Sequence, residues 1–275
     1  LGYPSGTVEI SSEAQSCTLV LQDGSGACQL TPEAVGQPEL SAVYSGDGIF
    51  NGSSLTGVPG PAILKADTFT SVSEVSPAAP VVGQPFTVTV QVAAMFPGSG
   101  LPEGLITVRY GAAACTASLA DGFGACAITA SGAGSQELLA EYGGSSSYNA
   151  SQSDQGITLE VGKAPTLVEI SGPVVAFRGH AAVWTATVSA AAPGEGLPAG
   201  QVQFYLDGVA FGEPVDLVDG QAFSQTAVDL GTGLHKVTAE YLGSSDFEES
   251  TSEDWNYLVN PYRMFLPSIV RYSMP

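Results

Sequence analysis

Basic residues are scarce in this chain of 275 residues. Lys and Arg together number 7 against 27 Asp and Glu, so the formal net charge is −20, and only 12% of residues are charged. A surface with this excess of negative charge repels nucleic acids and anionic membranes, so neither is expected as a partner. No apolar run in the sequence is long enough to cross a bilayer, so membrane insertion is not expected.

Residues suited to catalysis are equally few. The chain has two histidines, His180 and His235, and neither lies in a serine-nucleophile motif or a His-Glu-x-x-His arrangement. Structural roles are expected for both, with His235 at the edge of a loop before a strand. The sequence therefore predicts a protein that is not an enzyme and that needs no cofactor.

No leader segment is recognisable at the amino terminus. The chain begins at Leu1, and no charged region followed by an apolar region comes after it. Either a leader has been removed or the chain is a piece of something longer.

Apolar residues and turn formers make up much of what is present. The sequence is 44% hydrophobic and contains 34 Gly and 18 Pro, without long stretches of helical periodicity. Many apolar residues separated by frequent turn formers are typical of all-β proteins, so this fold class is predicted.

The four cysteines form two pairs of equal spacing. Cys17 and Cys28 enclose "CTLVLQDGSGAC", and Cys115 and Cys126 enclose "CTASLADGFGAC". Each pair flanks an Asp-Gly turn signal, so each is predicted to be a disulfide across the two strands of a hairpin. A metal site is disfavoured, because there is no Cys-x-x-Cys and no histidine nearby. Two disulfides predict an oxidising, extracellular setting.

Three segments of the chain repeat one another. Each has a turn of the form Gly-x-Pro-x-Gly leading into a strand, as in "SGLPEGLITV", and a later block such as "LLAEYGGSSSYNASQ". The tyrosines that mark the later block are Tyr44, Tyr142 and Tyr241. A period of just under 100 residues is the size of one β-sandwich domain rather than of a solenoid repeat.

Strand periodicity supports this interpretation. Apolar residues alternate with polar or small ones at Leu40, Ala42 and Tyr44, and again at the corresponding places in the other two copies. In the second copy Phe86, Val88, Val90 and Val92 share one face, and in the third the matching residues are Ala182, Trp184, Ala186 and Val188. About seven such strands per complete copy predict an immunoglobulin-like sandwich.

These motifs resemble the bacterial immunoglobulin-like repeat domains of large secreted and surface proteins. The resemblance extends to about residue 260 and is strongest in the third copy, through "GLPAGQVQFYLDG" and "GLHKVTAEYLGSSDFEEST". It implies tandem sandwiches with a structural or adhesive role and no catalytic residues. The first two copies depart from the family pattern by adding the hairpin cysteines, and the third has a longer hairpin.

The first copy is shorter than the others. The predicted domains are residues 1–65, 66–163 and 164–260, followed by a tail at 261–275. The first copy has no equivalent of residues 66–98, which include the two opening strands, so it is predicted to be an incomplete domain. Its closing strand is also weak, because Pro59 and Pro61 stand where ladder donors are needed.

The missing strands matter energetically. Four buried side chains of the size of Phe86 or Val88 contribute about 6–12 kcal/mol at about 1.5–3 kcal/mol each. A whole domain is stable by only about 5–15 kcal/mol, so the first copy should not be stable alone even with its disulfide.

The tail carries the kind of strand that the first copy lacks. Its fourteen residues "YRMFLPSIVRYSMP" are apolar and include Arg263 and Arg271, which suit an acidic acceptor. The prediction is that the tail of one subunit completes the first domain of the next, which would build a head-to-tail filament. The residues expected at this interface are Tyr262, Met264, Phe265, Leu266, Ile269, Val270 and Tyr272.

Two observations leave an alternative open. Pro267 cannot donate a ladder hydrogen bond. The first copy also lacks two strands, whereas the chain has only one tail to replace them. On the alternative interpretation Leu1 is a proteolytic boundary, and the tail is a sorting signal or an extra edge strand. The segment "FLPSIVR" also resembles a short ending found on some secreted bacterial proteins.

Other candidate sites have structural explanations. The acidic run "SSDFEESTSED" has ligands suitable for Ca²⁺ but lacks an Asp-x-Asp-x-Asp-Gly loop, so a solvated charged face is expected. Asn51 and Asn149 lie in sequons and are candidate glycosylation sites, although repeat ancestry explains their equal placement as well. Trp184 is expected in a core, and Trp255 at the start of a closing strand.

The expected function is that of an extracellular structural protein, a subunit of a pilus-like surface fibre with itself as partner. The alternative is a stalk or ligand-binding segment of a bacterial surface adhesin, for which glycans are candidate ligands. An accessory domain of a hydrolase would rest on analogy of fold alone.

Overall fold

The computed structural model describes residues 2–13, 15–153 and 157–261. The described residues form strands, turns and irregular segments without a helix, which confirms the predicted all-β class. No helix able to span a membrane occurs among them. The predicted tail interface at Tyr262, Met264, Phe265, Leu266, Ile269, Val270 and Tyr272 lies outside the described residues.

Domain 1 (residues 1–65) contributes one antiparallel sheet. Its strands are β1 (Thr7–Ser11), β2 (Ser16–Val20), β3 (Glu39–Tyr44) and β4 (Ser53–Pro59). The strands lie side by side in the order β2-β1-β3-β4. The strand β4 ends at Pro59. Beyond it the segment with Pro61, which corresponds to β12, forms only a single bridge between Ile63 and Gly36, so the predicted weak closing strand is confirmed.

Domain 2 (residues 66–163) is a sandwich of two sheets. Its strands are β5 (Thr68–Ser76), β6 (Pro85–Ala94), β7 (Gly104–Tyr110), β8 (Ala113–Leu119), β9 (Phe123–Thr129), β10 (Gly134–Tyr142), β11 (Ser151–Gln152) and β12 (Ile157–Val161). One sheet has the order β5-β6-β9, and the other has the order β11-β10-β7-β8 with β12 also paired to β10.

Domain 3 (residues 164–260) repeats this plan with shorter strands. They are β13 (Thr166–Ser171), β14 (Val175–Phe177), β15 (Thr185–Ala190), β16 (Gln201–Leu206), β17 (Val209–Ala210), β18 (Val215–Asp216), β19 (Gln221–Phe223), β20 (Gly233–Tyr241), β21 (Ser250–Thr251) and β22 (Trp255–Asn260). One sheet is β13-β15-β19, and the other is β14-β22-β20-β16-β17, with β18 on β16 and β21 on β20.

The cores of domains 2 and 3 lie between their two sheets. The inward residues of β6 are fully buried, as the alternation of the sequence predicted: Phe86, Val88, Val90 and Val92 expose at most 2% of their surface. Phe86 packs edge-on against Tyr110 from the opposite sheet, with ring centroids 5.6 Å apart. Trp184 occupies the matching place in domain 3 and is fully buried, which confirms its predicted core position.

Each repeat fastens its long strand to its entry turn in the same way. The hydroxyl of Tyr44 donates to the carbonyl of Ser5 at 2.7 Å. Tyr142 donates to Glu103 and Tyr241 to Ala199, each at 2.5 Å. Domain 1 keeps this hydrogen bond, so its long strand is held against its entry turn as in domains 2 and 3.

The predicted disulfides and Asp-Gly turns are present, but the predicted pairing of two strands across each disulfide is wrong. In domain 2, β8 pairs with β7 and β9 with β6, so the disulfide joins the two sheets of the sandwich. In domain 1, residues 26–31 belong to no strand. Asp23 and Gly24 have φ values of 51° and 79°, and Asp121 and Gly122 have 53° and 79°. Two successive positive φ angles are those of a type I′ turn, which matches the right-handed twist of the strands it joins. Disulfides join Cys17 to Cys28 and Cys115 to Cys126, as the spacing predicted.

The linkers enter domains 2 and 3 through the same contacts. The ammonium of Lys65 donates to the carbonyl of Ser145 at 2.6 Å, and that of Lys163 donates to Ser244 at 2.7 Å. The residue after each lysine binds the same loop. The N–H of Ala66 donates to the carbonyl of Ser147, and that of Ala164 donates to the carbonyl of Asp246, each at 2.9 Å.

Domains 2 and 3 also contact each other directly. The N–H of Ala133 donates to the carboxylate of Asp246 at 2.8 Å. The N–H of Glu195 donates to the carbonyl of Val82 at 3.2 Å. Both contacts join loops of domain 2 to loops of domain 3, so they hold the orientation of this pair of domains.

Gly83 permits this close approach, and Gly83→Ala is expected to open the junction. A Cβ at this position would lie 2.3 Å from the carbonyl oxygen of Glu195, and the φ of Gly83 is +80°. Gly208→Ala is the matched control, because Gly208 has a φ of +79° but nothing near its Cβ position. Both changes should cost about 1–2 kcal/mol through backbone conformation.

Small-angle X-ray scattering distinguishes the two effects. Only Gly83→Ala should change the shape of the molecule, since only there must one domain move away from the other. An unchanged scattering curve for Gly83→Ala would show that the loops adapt without moving the domains.

Candidate strand-acceptor groove

An apolar groove runs across the open face of the domain 1 sheet. Its volume is about 380 Å³. The acceptor groove, as we call it, is lined chiefly by Ile10, Cys17, Cys28, Leu30, Leu40, Pro61 and Ile63. The described part of domain 1 has no second sheet to cover this face.

Four of the apolar lining residues correspond to core residues of domain 2. Because the two copies align at a constant offset, Ile10, Leu30, Leu40 and Ile63 correspond to Val108, Ile128, Leu138 and Val161. The four residues of domain 2 expose at most 3% of their surface, whereas all four in domain 1 are only partly buried. The groove therefore exposes, among the described residues, a face that corresponds to core in domain 2.

One segment of backbone in domain 1 also lacks a ladder. In domain 2, β9 pairs with β6 in a register that places Cys126 opposite Val88. The corresponding segment of domain 1, residues 26–31 with Cys28, belongs to no strand. The same sequence pattern forms a strand in one copy and not in the other, because only domain 2 supplies the neighbouring strand.

Polar residues border the groove at one end. Glu13, Gln15 and Glu33 line it together with the apolar residues. The side chain of Gln15 donates to Glu33 at 3.3 Å and accepts the N–H of Thr31 at 3.1 Å. Residues 1–65 contain six carboxylates and one basic side chain, Lys65, so the surroundings of the groove are acidic.

A second cavity separates domain 1 from domain 2. It has a volume of about 850 Å³, and its lining includes Val35, Leu64, Met95 and Phe96. Phe96 and Leu64 are 95% and 80% exposed. At the next junction the loop of Val82 and Gly83, which joins β5 to β6, contacts Glu195, and a cavity of about 550 Å³ remains beside it. The described residues of domain 1 have no β5–β6 loop to make the equivalent contact.

Asp47 is a structural residue that the sequence patterns did not indicate. Its carboxylate accepts the N–H groups of Ser5 at 2.8 Å, Ile49 at 2.8 Å and Phe50 at 2.7 Å. These hydrogen bonds, that of Ser5 foremost, hold the pKa of Asp47 far below its ordinary value. Its counterparts in the other copies are Ser145 and Ser244, so the repeat comparison could have singled it out.

The candidate glycosylation sites both lie at the surface. Asn51 and Asn149 are exposed. The side-chain amide of Asn149 donates to the carboxylate of Asp67 at 2.8 Å. Whether either residue carries a sugar stays a prediction.

The histidines make structural contacts. Nδ1 of His180 lies 3.2 Å from the carbonyl oxygen of Phe177. Nδ1 of His235 lies 2.7 Å from the carboxylate of Asp207, and its Nε2 lies 2.9 Å from the carbonyl of Gly231. The hydrogen bond to Asp207, followed by that to Gly231, raises the pKa of His235.

The acidic run of domain 3 is not arranged as a metal site in the described part of the chain, where no group of three or more ligating side chains converges. Asp246 instead belongs to the domain junction. Trp255 begins β22, is partly buried, and donates its indole N–H to the carbonyl of Pro173 at 3.0 Å.

Comparison with known proteins agrees with this architecture. The model of the bacterial Ig-like domain family (group 3) matches residues 72–162 and 168–260, which are the two complete sandwiches. No curated protein matches the chain.

Three solved structures illustrate the similarity of fold. The fibronectin(III)-like modules of Clostridium thermocellum CbhA are 16% identical, with 75% of this chain and 100% of that chain covered and a TM-score of 0.28. The Yersinia pseudotuberculosis adhesin InvE is 13% identical, with 70% and 58% covered and a TM-score of 0.37. The D0-D1 domain of intimin is 15% identical, with 68% and 98% covered and a TM-score of 0.25. No functional conclusion follows from likenesses of this size.

Proposed function

The chain belongs to the bacterial Ig-like domain family (group 3), and from this premise we propose that it is an extracellular structural protein whose copies join head to tail. In this proposal the C-terminal tail of one copy enters the acceptor groove of the next, and a surface fibre grows. The protein has no enzymatic role in it.

The acceptor groove is the observation that carries the proposal. Four apolar side chains that would be core in a complete sandwich are left partly exposed, beside a backbone segment that belongs to no strand. Full burial of an exposed apolar side chain contributes about 1.5–3 kcal/mol, and each of these four, already partly buried, would gain a fraction of that from a strand that covers the groove. Addition of an extended segment to a sheet is a common mode of peptide recognition.

The tail has the length and charge that such an occupant needs. Fourteen residues in extended conformation reach roughly 46 Å, and β6, the strand that covers the equivalent face in domain 2, has 10 residues. The tail holds two arginines and no carboxylate, whereas residues 1–65 hold six carboxylates and one lysine. A contact between opposite ends of the chain is head-to-tail and need not close on itself, so it can propagate.

The disulfides support an extracellular location. Both Cys17–Cys28 and Cys115–Cys126 are formed in the structure. Such bonds persist in oxidising compartments and on cell surfaces and are rare in the cytosol. Family membership and the disulfides are therefore consistent with display outside the cell.

Electron microscopy and size-exclusion chromatography of the whole chain test the proposal. We expect the full chain to form polymers and a chain that ends at residue 261 to stay monomeric. A chain with the same fourteen tail residues in scrambled order is the control for composition. Full-length protein that stays a stable monomer with domain 1 folded would contradict the proposal.

A stalk or ligand-binding segment of a surface adhesin is the second candidate. The direct contacts of Ala133 with Asp246 and of Val82 with Glu195 favour it, because they hold two sandwiches in one orientation, as a spacer requires. Glycans are the ligands to test first, with a glycan array. Binding of a defined sugar by monomeric protein would favour this role over the fibre.

A further inference from the structure

We propose that the donated tail takes the place of β6 in domain 1, with Tyr262, Met264, Leu266, Val270 and Tyr272 facing the acceptor groove and Pro267 directed to the free edge. This inference rests on the proposed function and specifies how its interface is built.

The order of the strands decides which of the two missing strands is replaced. In domain 2 the sheet runs β5-β6-β9, so β6 alone forms a ladder with β9. The ladder of β5 is with β6, and its other edge has one bridge, from Thr70 to Ser153. A single strand in the β6 position would cover the core and pair with residues 26–31. The lack of a β5 equivalent then leaves the donated strand as an edge, so one tail suffices for two missing strands.

The side chains on the buried face of β6 belong to the residues whose backbone N–H groups point towards β9. Side chains of a strand alternate between the two faces of the sheet, and the N–H groups of successive residues point alternately to the two neighbouring strands. The inward residue Val92 donates its N–H towards β9, to the carbonyl of Gly122 at 2.8 Å. In domain 3 the inward residue Val188 donates to Gly220 at 2.8 Å in the same manner. Inward residues therefore pair with β9, and outward residues direct their N–H groups towards β5.

This alternation fixes the orientation of a tail that runs in the same direction as β6, antiparallel to residues 26–31. Pro267 has no N–H, so it is tolerated only where the N–H would point to an open edge. In the β6 position without β5, the open edge belongs to the outward residues. Pro267 must then face outwards with the other odd-numbered residues, and Leu266 and Ser268 on either side of it must face inwards.

The acceptor positions along this face follow from the register of domain 2. There Phe86 pairs with Ile128, Val88 with Cys126 and Val90 with Gly124. The corresponding acceptor positions in domain 1 are Leu30, Cys28 and Gly26. The place of a Cβ at Gly26 is taken by Leu19, whose Cδ1 would lie 2.7 Å away. Arg263 and Arg271 keep their charges on the outward, hydrated face.

Matched substitutions within the tail test the orientation. In the full chain, Leu266→Asp is expected to lower the polymerised fraction by more than about tenfold, because it buries an unpaired carboxylate. Phe265→Asp, one residue away and on the outward face, is expected to change it by no more than about twofold. Met264→Pro is expected to lower the polymerised fraction and Phe265→Pro to leave it nearly unchanged. Only the first substitution removes an N–H directed at residues 26–31.

The outcomes separate this inference from the fibre itself. If Phe265→Asp abolishes polymers and Leu266→Asp does not, or if both polymerise normally, the orientation is wrong although the fibre stands. If the unmodified chain does not polymerise, the proposed function fails first. Hydrogen exchange that shows residues 26–31 protected in a monomeric full chain would mean that the chain fills its own groove, and would also overturn the inference.

Discussion

Replacement of both Cys17 and Cys28 by serine is expected to unfold domain 1, whereas the same replacement of Cys115 and Cys126 should leave domain 2 folded. Each disulfide closes a loop between cysteines 11 positions apart. Removal of a loop closure of this size costs about 3 kcal/mol. The expected difference arises from what else holds the segment that each disulfide attaches.

In domain 2 the segment with Cys126 is also a central part of the structure. As β9 it pairs with β6 over seven residue pairs, and its side chains lie in a closed core. In domain 1 the segment with Cys28 belongs to no strand, and its apolar side chains line an open groove. A complete domain has a free energy of unfolding of about 5–15 kcal/mol, so it can stay folded after a loss of about 3 kcal/mol. We expect a smaller free energy of unfolding for domain 1, because it has one sheet and an open groove.

Hydrogen exchange resolved by peptide measures the two domains separately, which a single unfolding curve of a three-domain chain cannot do. Exchange in β1–β3 should become fast in the Cys17→Ser, Cys28→Ser variant. Exchange in β7–β10 of the Cys115→Ser, Cys126→Ser variant should stay slow. Equal protection of domain 1 with and without its disulfide would mean that the open sheet is stable by other contacts.

Trp184→Ala is expected to destabilise domain 3 by about 3–5 kcal/mol. Trp184 is fully buried and packs edge-on against Tyr257 at 5.2 Å and Phe211 at 6.3 Å between ring centroids. Loss of the indole leaves a cavity between the two sheets, and the surrounding strands are too constrained by their ladders to close it.

Trp184→Phe is the matched variant and should cost less, on the order of 1–2 kcal/mol, because part of the ring volume remains. The indole N–H has no hydrogen-bond partner among the described residues, so its removal breaks no hydrogen bond there. A buried donor without a partner carries a desolvation penalty of about 1–3 kcal/mol, which phenylalanine would relieve.

Hydrogen exchange of β13, β15 and β20 gives the stability of domain 3 in both variants, with domain 2 as an internal reference. Trp255 stays available as a fluorescent probe of the same domain. A loss for Trp184→Phe as large as for Trp184→Ala would show that the N–H has a partner, such as a buried water.

Much of the fold follows from local pattern. The alternation of Phe86, Val88, Val90 and Val92 predicted a strand with one buried face, and the spacing of the cysteines predicted the two disulfides. The Asp-Gly turns were predicted correctly, but the strands on either side of the turn in domain 2 lie in different sheets. The patterns were less informative where a residue acts through a distant segment. The hydrogen bonds between Asp47 and Ser5 and between Asp246 and Ala133 join positions far apart in the chain. Asp47 differs from its counterparts in the other copies, but that difference does not reveal its partner.

The sequence by itself determined the all-β class, the repeat and the paired cysteines, because strand periodicity, turn chemistry and equal spacing are local properties. Only the tertiary structure decided that residues 26–31 do not form a strand although residues 123–129 do. A strand needs a neighbour for its backbone hydrogen bonds, and whether that neighbour is present depends on segments far away in the chain. For the same reason the order β5-β6-β9, and with it the position at which one strand could complete domain 1, became visible only once the sheets were assembled.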